Sequence, residues 1–71
     1  MLYILDSYAW IEYFIGSAKG SILKRLLQDQ SNKFATVECC LAEIIGWALN
    51  NNQDFNKLFK IIRANSEIIT L

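Results

Sequence analysis

The sequence predicts an α/β fold built from three parallel strands and about four helices. The alternation of two kinds of segment supports this prediction. Short runs of strand-favouring residues are followed by longer segments in which apolar residues recur at helical spacing. The chain has 71 residues, which suffices for one domain with a single small sheet. Strands joined by helical crossovers favour a parallel sheet with right-handed connections.

The first strand and first helix are predicted at the N-terminus. Residues 2–5, Leu-Tyr-Ile-Leu, form a short apolar run that is typical of a strand buried on both faces. Ser7 is predicted to cap a helix whose apolar positions repeat at helical spacing up to Gly16. Asp6 therefore lies in the turn between the strand and the helix.

A second helix and a second strand follow. Ser17 is predicted to cap the helix, which carries one apolar stripe formed by Ile22, Leu23, Leu26 and Leu27. The polar residues 29–32 end this helix. Residues 34–37, Phe-Ala-Thr-Val, favour a strand and stand where a parallel strand would follow a crossover.

The remaining segments complete the predicted topology. Residues 38–49 form a helix that is apolar nearly all round, so we expect it to be buried. After an asparagine linker, an amphipathic helix runs from residue 55 to about residue 64. Residues 67–71 are predicted to form the third strand, giving the spatial order three-two-one.

Composition bears on the partners of this chain. Seven basic and seven acidic residues cancel, which excludes a general attraction to phosphate backbones or anionic membranes. Apolar residues make up 54% of the chain, a proportion that favours apolar surface covered by another chain. We therefore expect a homo-oligomer in which a symmetry mate covers Trp10, Phe14, Trp47 and the exposed side of the first strand.

Cellular location and cysteine chemistry are also predictable. No apolar run is long enough to span a bilayer and the N-terminus lacks the pattern of a signal peptide, so we expect a cytoplasmic protein without a membrane partner. Cys39 and Cys40 are adjacent and have no second pair, which argues against a disulfide framework or a zinc site. We expect both to be small buried apolar residues.

Two carboxylates stand alone in apolar sequence. Asp6 closes the first strand-like run, and Glu43 is the only charge between Cys39 and Leu49. Both follow predicted parallel strands, whose carboxyl ends share one edge of the sheet. An unpartnered buried carboxylate is costly, so one hypothesis is a divalent metal held by Asp6 and Glu43 together. The alternative is that each carboxylate caps a helix or faces solvent.

Four segments of the chain form a recognisable set: residues 2–14, the Gly-Ser at 16–17, the Leu-Ala-Glu-Ile-Ile at 41–45 and the closing Ile-Ile-Thr-Leu at 68–71. Together they resemble the N-terminal half of a PIN domain of the VapC-like toxin family. The resemblance implies a Rossmann-like, three-layer parallel sheet, incomplete here, as a single truncated domain over residues 1–71. It also implies a Mg²⁺- or Mn²⁺-dependent endoribonuclease, with RNA as substrate and an antitoxin as partner.

The resemblance assigns roles to three residues. Asp6 and Glu43 correspond to the first two acidic metal ligands of the family, and Ser7 to the hydroxyl residue that follows the first aspartate. The family's later acidic residues are missing, so we expect weak Mg²⁺ or Mn²⁺ binding and little or no RNA cleavage by this chain alone. The first strand would also become an unpaired, apolar sheet edge.

Three hypotheses about function follow. In the first, the chain is a ribonuclease whose remaining ligands come from a second polypeptide or another subunit. In the second, it is a catalytically dead remnant that acts as a dimerisation or protein-binding module. In the third, it is a small helical interaction protein, unrelated to nucleases, in which Asp6 and Glu43 are ordinary caps.

Overall fold

The computed structural model describes residues 1–70 and confirms the predicted fold class, a three-stranded parallel sheet with four helices. In chain order the elements are β1 (Leu2–Leu5), α1 (Ser7–Ile15), α2 (Ala18–Gln28), β2 (Lys33–Val37), α3 (Glu38–Asn50), α4 (Phe55–Asn65) and β3 (Glu67–Ile69). Because residues 2–5 form a strand, the hypothesis of a small all-helical protein is wrong. Residue 71, the end of the predicted third strand, lies outside the described residues.

Strand β2 lies at the centre of the sheet. The order is β1-β2-β3 with both pairs parallel, as predicted. Tyr3 pairs with Phe34 and Thr36 pairs with Ile68. Among the described residues β1 pairs only with β2, so the expected bare edge at β1 is present.

The N-termini of the first two helices are closed by side-chain caps. Asp6, not Ser7 as predicted, caps α1, because the backbone N–H of Ala9 donates to Asp6 Oδ1 over 2.8 Å. Ser7 is instead the first residue of α1 and is buried. Ser17 caps α2 as predicted, accepting from the N–H of Gly20 over 3.1 Å.

Two glycines determine how α1 and α2 meet. Gly16 ends α1 in the left-handed conformation, with φ of +80°, and its N–H contacts the carbonyl oxygens of Glu12 and Tyr13. Gly20 lies directly against the backbone of Glu12, where a Cβ atom would overlap the carbonyl group. The two helices therefore pack more closely than any larger residue at position 20 allows.

The hydrophobic core lies between the helices and one face of the sheet, which we call the covered face. The register places Tyr3, Leu5, Phe34, Thr36 and Ile68 on this face. Helices supply the fully buried side chains that pack there, namely Trp10, Ile44 and Ile62. Trp10 also stacks on Phe14, with ring centroids 5.8 Å apart.

A chain of polar groups crosses this core. Trp10 Nε1 donates to Thr36 Oγ1 over 3.0 Å, and Thr36 Oγ1 lies 2.8 Å from Ser66 Oγ. Ser66 Oγ donates to the carbonyl of Ile62 over 2.8 Å, so the Thr36 hydroxyl must donate to Ser66. The chain of donors joins α1, β2 and the end of α4, and it leaves the buried Trp10 and Thr36 side chains satisfied.

Two predictions about which residues of the helices are exposed were wrong. Trp10 is fully buried, so a symmetry mate cannot cover it; its indole N–H finds Thr36 inside the core. Helix α3 is buried only along a stripe that includes Ile44 and Ala48, while Ile45 and Leu49 are exposed. Only one side of α3 faces the sheet and α1, so its all-round apolar composition does not make it a buried helix.

The opposite face of the sheet, which we call the open face, has no helix packed on it among the described residues. Its side chains follow from strand alternation and are Leu2, Ile4, Lys33, Ala35, Val37, Glu67 and Ile69. Ala35, on the central strand, is buried, and Val37 and Ile69 are half-buried. Leu2 is 64% and Ile4 61% exposed, so the prediction that β1 is buried on both faces was wrong. The described chain thus supplies two layers of the expected three-layer arrangement and measures 34 × 29 × 17 Å.

The length and polarity of a helix determine whether it could cross a membrane. Within residues 1–70, every helix is too short or too polar to cross a bilayer.

Candidate functional site

The candidate site lies at the carboxyl edge of the sheet, where the three parallel strands end. Asp6 follows β1, Glu38 follows β2 and Thr70 follows β3. Glu43 lies in the second turn of α3, the helix that begins directly after β2. This edge is where ligands bind in open parallel sheets.

The Cys40 thiol lies in the first turn of α3, one turn before Glu43. Burial raises the pKa of this thiol, and the backbone of Ser7 lowers it. Helices α1 and α3 pack against each other. Asp6 caps the start of α1, and Glu43 lies in the second turn of α3.

The sequence-based argument for a metal assumed that Asp6 and Glu43 are buried, and this assumption is wrong. Asp6 and Glu43 are both solvent-exposed, so neither carries the desolvation cost of a buried charge. Asp6 Oδ1 is already used as the cap of α1. Within residues 1–70, this is the one hydrogen bond of the Asp6 carboxylate that is found.

Ser7, the hydroxyl residue that follows Asp6, is the first residue of α1 and is buried.

Glu38 is a residue of this edge that the sequence analysis missed. It begins α3, and its Oε2 accepts a 2.8 Å hydrogen bond from Thr70 Oγ1. Glu38 borders a cleft of about 380 Å³ together with Val37, Cys39 and Thr70. The available signal was position, since Glu38 follows β2 just as Asp6 follows β1.

The set of candidate metal-binding side chains is small. In the described part of the chain no group of three or more metal-binding side chains comes together. Two exposed carboxylates nevertheless suit Mg²⁺ or Mn²⁺, since hard cations take oxygen ligands and Mg²⁺ is often held by one or two carboxylates, waters and substrate phosphates. The carboxylates of Asp6 and Glu43 are oxygen ligands of this type, and the exposed side chains leave room for water.

The two cysteines differ in exposure. Cys39 is exposed, contrary to the prediction that both cysteines are buried, and Cys40 is half-buried. Burial is the largest influence on the pKa of Cys40 and raises it. The thiol therefore remains protonated at neutral pH, and it is the thiolate that reacts.

Comparison with known proteins adds no assignment, because no protein-family model, no curated protein and no solved structure matches this chain.

Proposed function

We propose that this chain is a PIN-like nuclease module that binds Mg²⁺ or Mn²⁺ weakly through Asp6 and Glu43 and cleaves RNA poorly or not at all by itself. The proposal rests on the placement of Asp6 directly after β1 and of Glu43 in the helix that follows the parallel strand β2, with helices α1 and α3 packed together. This placement supports a common edge for Asp6 and Glu43. The resemblance to VapC-like toxins supplies the reaction class.

Chemistry sets the limits of such a site. A divalent ion would supply positive charge for a phosphodiester and a water of lowered pKa. Asp6 and Glu43 leave most of an octahedral shell to water, so they hold the ion loosely. A net charge of zero gives RNA no long-range attraction to the chain. Further ligands from a second polypeptide, or an antitoxin bound at this edge, would complete the module.

Calorimetric titration with Mn²⁺, run beside cleavage of a single-stranded RNA, tests this proposal. We expect weak Mn²⁺ binding by the wild-type chain that decreases at least several-fold in Asp6→Asn and in Glu43→Gln. Asparagine caps helices as well as aspartate does, so Asp6→Asn removes charge without unfolding α1. Asp54→Asn is the matched control, because Asp54 caps α4 through Asn56 N–H far along the chain.

Each result of this experiment has a definite meaning. Binding that is lost in the two site variants and kept in Asp54→Asn supports the site. Equal Mn²⁺ binding by all four proteins, or none by any, contradicts it. Robust RNA cleavage abolished by both site substitutions would contradict the inactivity of the chain alone.

A second candidate function is a catalytically inactive remnant that acts as a dimerisation or protein-binding module. The open face of the sheet favours it, because a solvated sheet face ordinarily carries polar side chains. Leu2 and Ile4 instead leave more than half of their surface exposed there.

A further inference from the structure

We propose that the solvent-facing side of α4 binds the phosphate backbone of single-stranded RNA. The surface consists of Lys57, Lys60 and Arg63, and we call it the α4 basic face. The choice of RNA as the bound polyanion rests on the proposed function. The surface itself contains neither Asp6 nor Glu43, so it can be tested without the metal.

The three basic side chains lie on one side of α4. Lys57, Lys60 and Arg63 recur at every third residue, and all three are exposed. Leu58 and Ile62 are buried and lie on the opposite side of the helix. Residues three apart on a helix are neighbours, with Cβ atoms about 5–6 Å apart. The positive charges therefore form a short row along the solvent side of the helix.

The charge of this row is not balanced within the helix. Helix α4, Phe55–Asn65, contains no aspartate or glutamate. Acidic residues are instead found at the carboxyl edge of the sheet, where Asp6 and Glu38 follow strands. Like charges three or four residues apart repel each other and destabilise a helix. A bound polyanion would relieve this repulsion, although the chain as a whole is neutral.

Aromatic contacts hold one end of the row in place. Arg63 Cζ lies 5.6 Å from the centroid of the Phe59 ring. Phe59 in turn stacks on Phe55, with ring centroids also 5.6 Å apart. A guanidinium that contacts an aromatic ring loses freedom of movement and keeps N–H groups with which arginine binds phosphate in a bidentate manner. Arg63 is therefore partly preorganised for a phosphate group.

Two features favour RNA over an acidic protein segment as the polyanion. Phe59 is only half-buried, so part of an aromatic ring is accessible beside the cations. Surfaces that bind single strands combine cations for the backbone with aromatic side chains for the bases. The reaction class of the proposed function also calls for a surface that holds RNA. Three phosphate contacts are few, so the binding is weak and strongly dependent on salt.

Fluorescence anisotropy with a labelled oligouridine of about ten nucleotides tests this surface. The titration is run in EDTA, which removes any contribution of a bound metal. Three phosphate contacts predict a slope of about −2 for log affinity against log salt concentration. Raising NaCl from about 20 to about 60 mM should therefore weaken binding about tenfold. Each of Lys57→Ala, Lys60→Ala and Arg63→Ala should reduce the steepness of this slope by about 0.7.

A matched pair of triple variants separates the α4 basic face from charge in general. Replacing Lys57, Lys60 and Arg63 together by alanine should lower the affinity for oligouridine at least tenfold at low salt. The control replaces three basic residues of α2 by alanine, namely Lys19, Lys24 and Arg25. It changes the net charge equally and should keep both the affinity and the slope within about twofold of the wild type. Circular dichroism verifies that every variant is folded.

Several results would overturn the proposal. They are no binding of oligouridine by the wild-type chain at low salt, equal losses in the two triple variants, or a salt slope that the α4 substitutions leave unchanged. Tighter binding of an oligoglutamate with the same number of charges would show that the surface serves an acidic protein segment instead. Asp6→Asn and Glu43→Gln should bind oligouridine normally in EDTA, so the titration with Mn²⁺ and the titration with RNA can fail separately.

Discussion

The two faces of the sheet come from the same three strands, yet only one of them is covered. On the covered face, fully buried side chains such as Trp10 and Ile44 pack against Phe34, and a chain of hydrogen bonds crosses the core. On the open face, Leu2 and Ile4 are 64% and 61% exposed. Both faces are mainly apolar, so side-chain composition alone does not tell which face the described chain itself covers.

The covered face and the open face of the sheet contribute to the stability of the protein in different ways. The covered face contributes to the folding of one chain, because its apolar area leaves water when the helices pack. The open face can contribute only when something else covers it. Substitutions on adjacent residues of one strand should therefore act on different equilibria, folding for one and association for the other.

The largest expected difference is between Leu5→Ala and Ile4→Ala. Leu5 is buried in the core and Ile4 is exposed. We expect Leu5→Ala to lower the free energy of unfolding by about 2–5 kcal/mol, and Ile4→Ala to change it by less than about 0.5 kcal/mol. Urea denaturation, repeated at two protein concentrations so that any contribution of association is detected, measures both. Equal losses would mean that the open face is covered within the chain.

The close contact of α1 and α2 can be tested at glycine positions. Gly20→Ala places a Cβ atom against the Glu12 carbonyl, so we expect a loss of about 3 kcal/mol as the helices separate. Gly46→Ala is the matched control, because a Cβ there meets nothing within 4 Å. It should stabilise α3 by about 0.5–1 kcal/mol. Thermal unfolding of the two variants should give shifts of opposite sign.

Breaking the series of hydrogen bonds from Trp10 through Thr36 to Ser66 should cost less stability. Thr36→Val keeps the shape of the side chain and leaves the Trp10 indole N–H without its acceptor. We expect a loss of about 1–3 kcal/mol. Thr70→Val removes a hydrogen bond at an exposed position and should change the free energy of unfolding by less than about 0.5 kcal/mol. Similar losses of unfolding free energy in the two variants would show that the buried hydrogen bonds of Thr36 contribute no more than the exposed one of Thr70.

The smallest expected effect is electrostatic and lies outside both faces. Hydrogen bonds from Ser31 lower the pKa of Asp29, so the ionised form stabilises the fold above the unfolded pKa, and this contribution is lost as pH falls through the lowered folded pKa. Asp29→Asn should therefore melt slightly below the wild type at pH 7, and the gap should close in acid, below about pH 4. A gap that is constant with pH would contradict this assignment.

Much of the fold follows from local pattern. The alternation of short apolar runs and helical repeats gave the element order, the parallel sheet and the Ser17 cap. The exposure of Leu2, Ile4 and Ile45 did not follow, because an apolar run has the same composition whether or not a layer of the same chain covers it.

The candidate site was predictable only in part. Both Asp6 and Glu43 follow strands, which indicates one edge, but capping geometry decides that Asp6 rather than Ser7 accepts from Ala9. Glu38 was missed because its hydrogen bond depends on Thr70, 32 residues further along the chain. The Trp10–Thr36–Ser66 chain has no sequence signal, since its members are 26 and 30 residues apart.

Those separations have a consequence for how the chain acquires its structure during synthesis. Thr36 gains its Ser66 partner, and the core gains Ile62, only after residues 62–66 have been made. Contacts this distant in sequence form more slowly than local ones. Until then the apolar strands β1 and β2 lack part of the core that covers them, and exposed apolar strands promote aggregation.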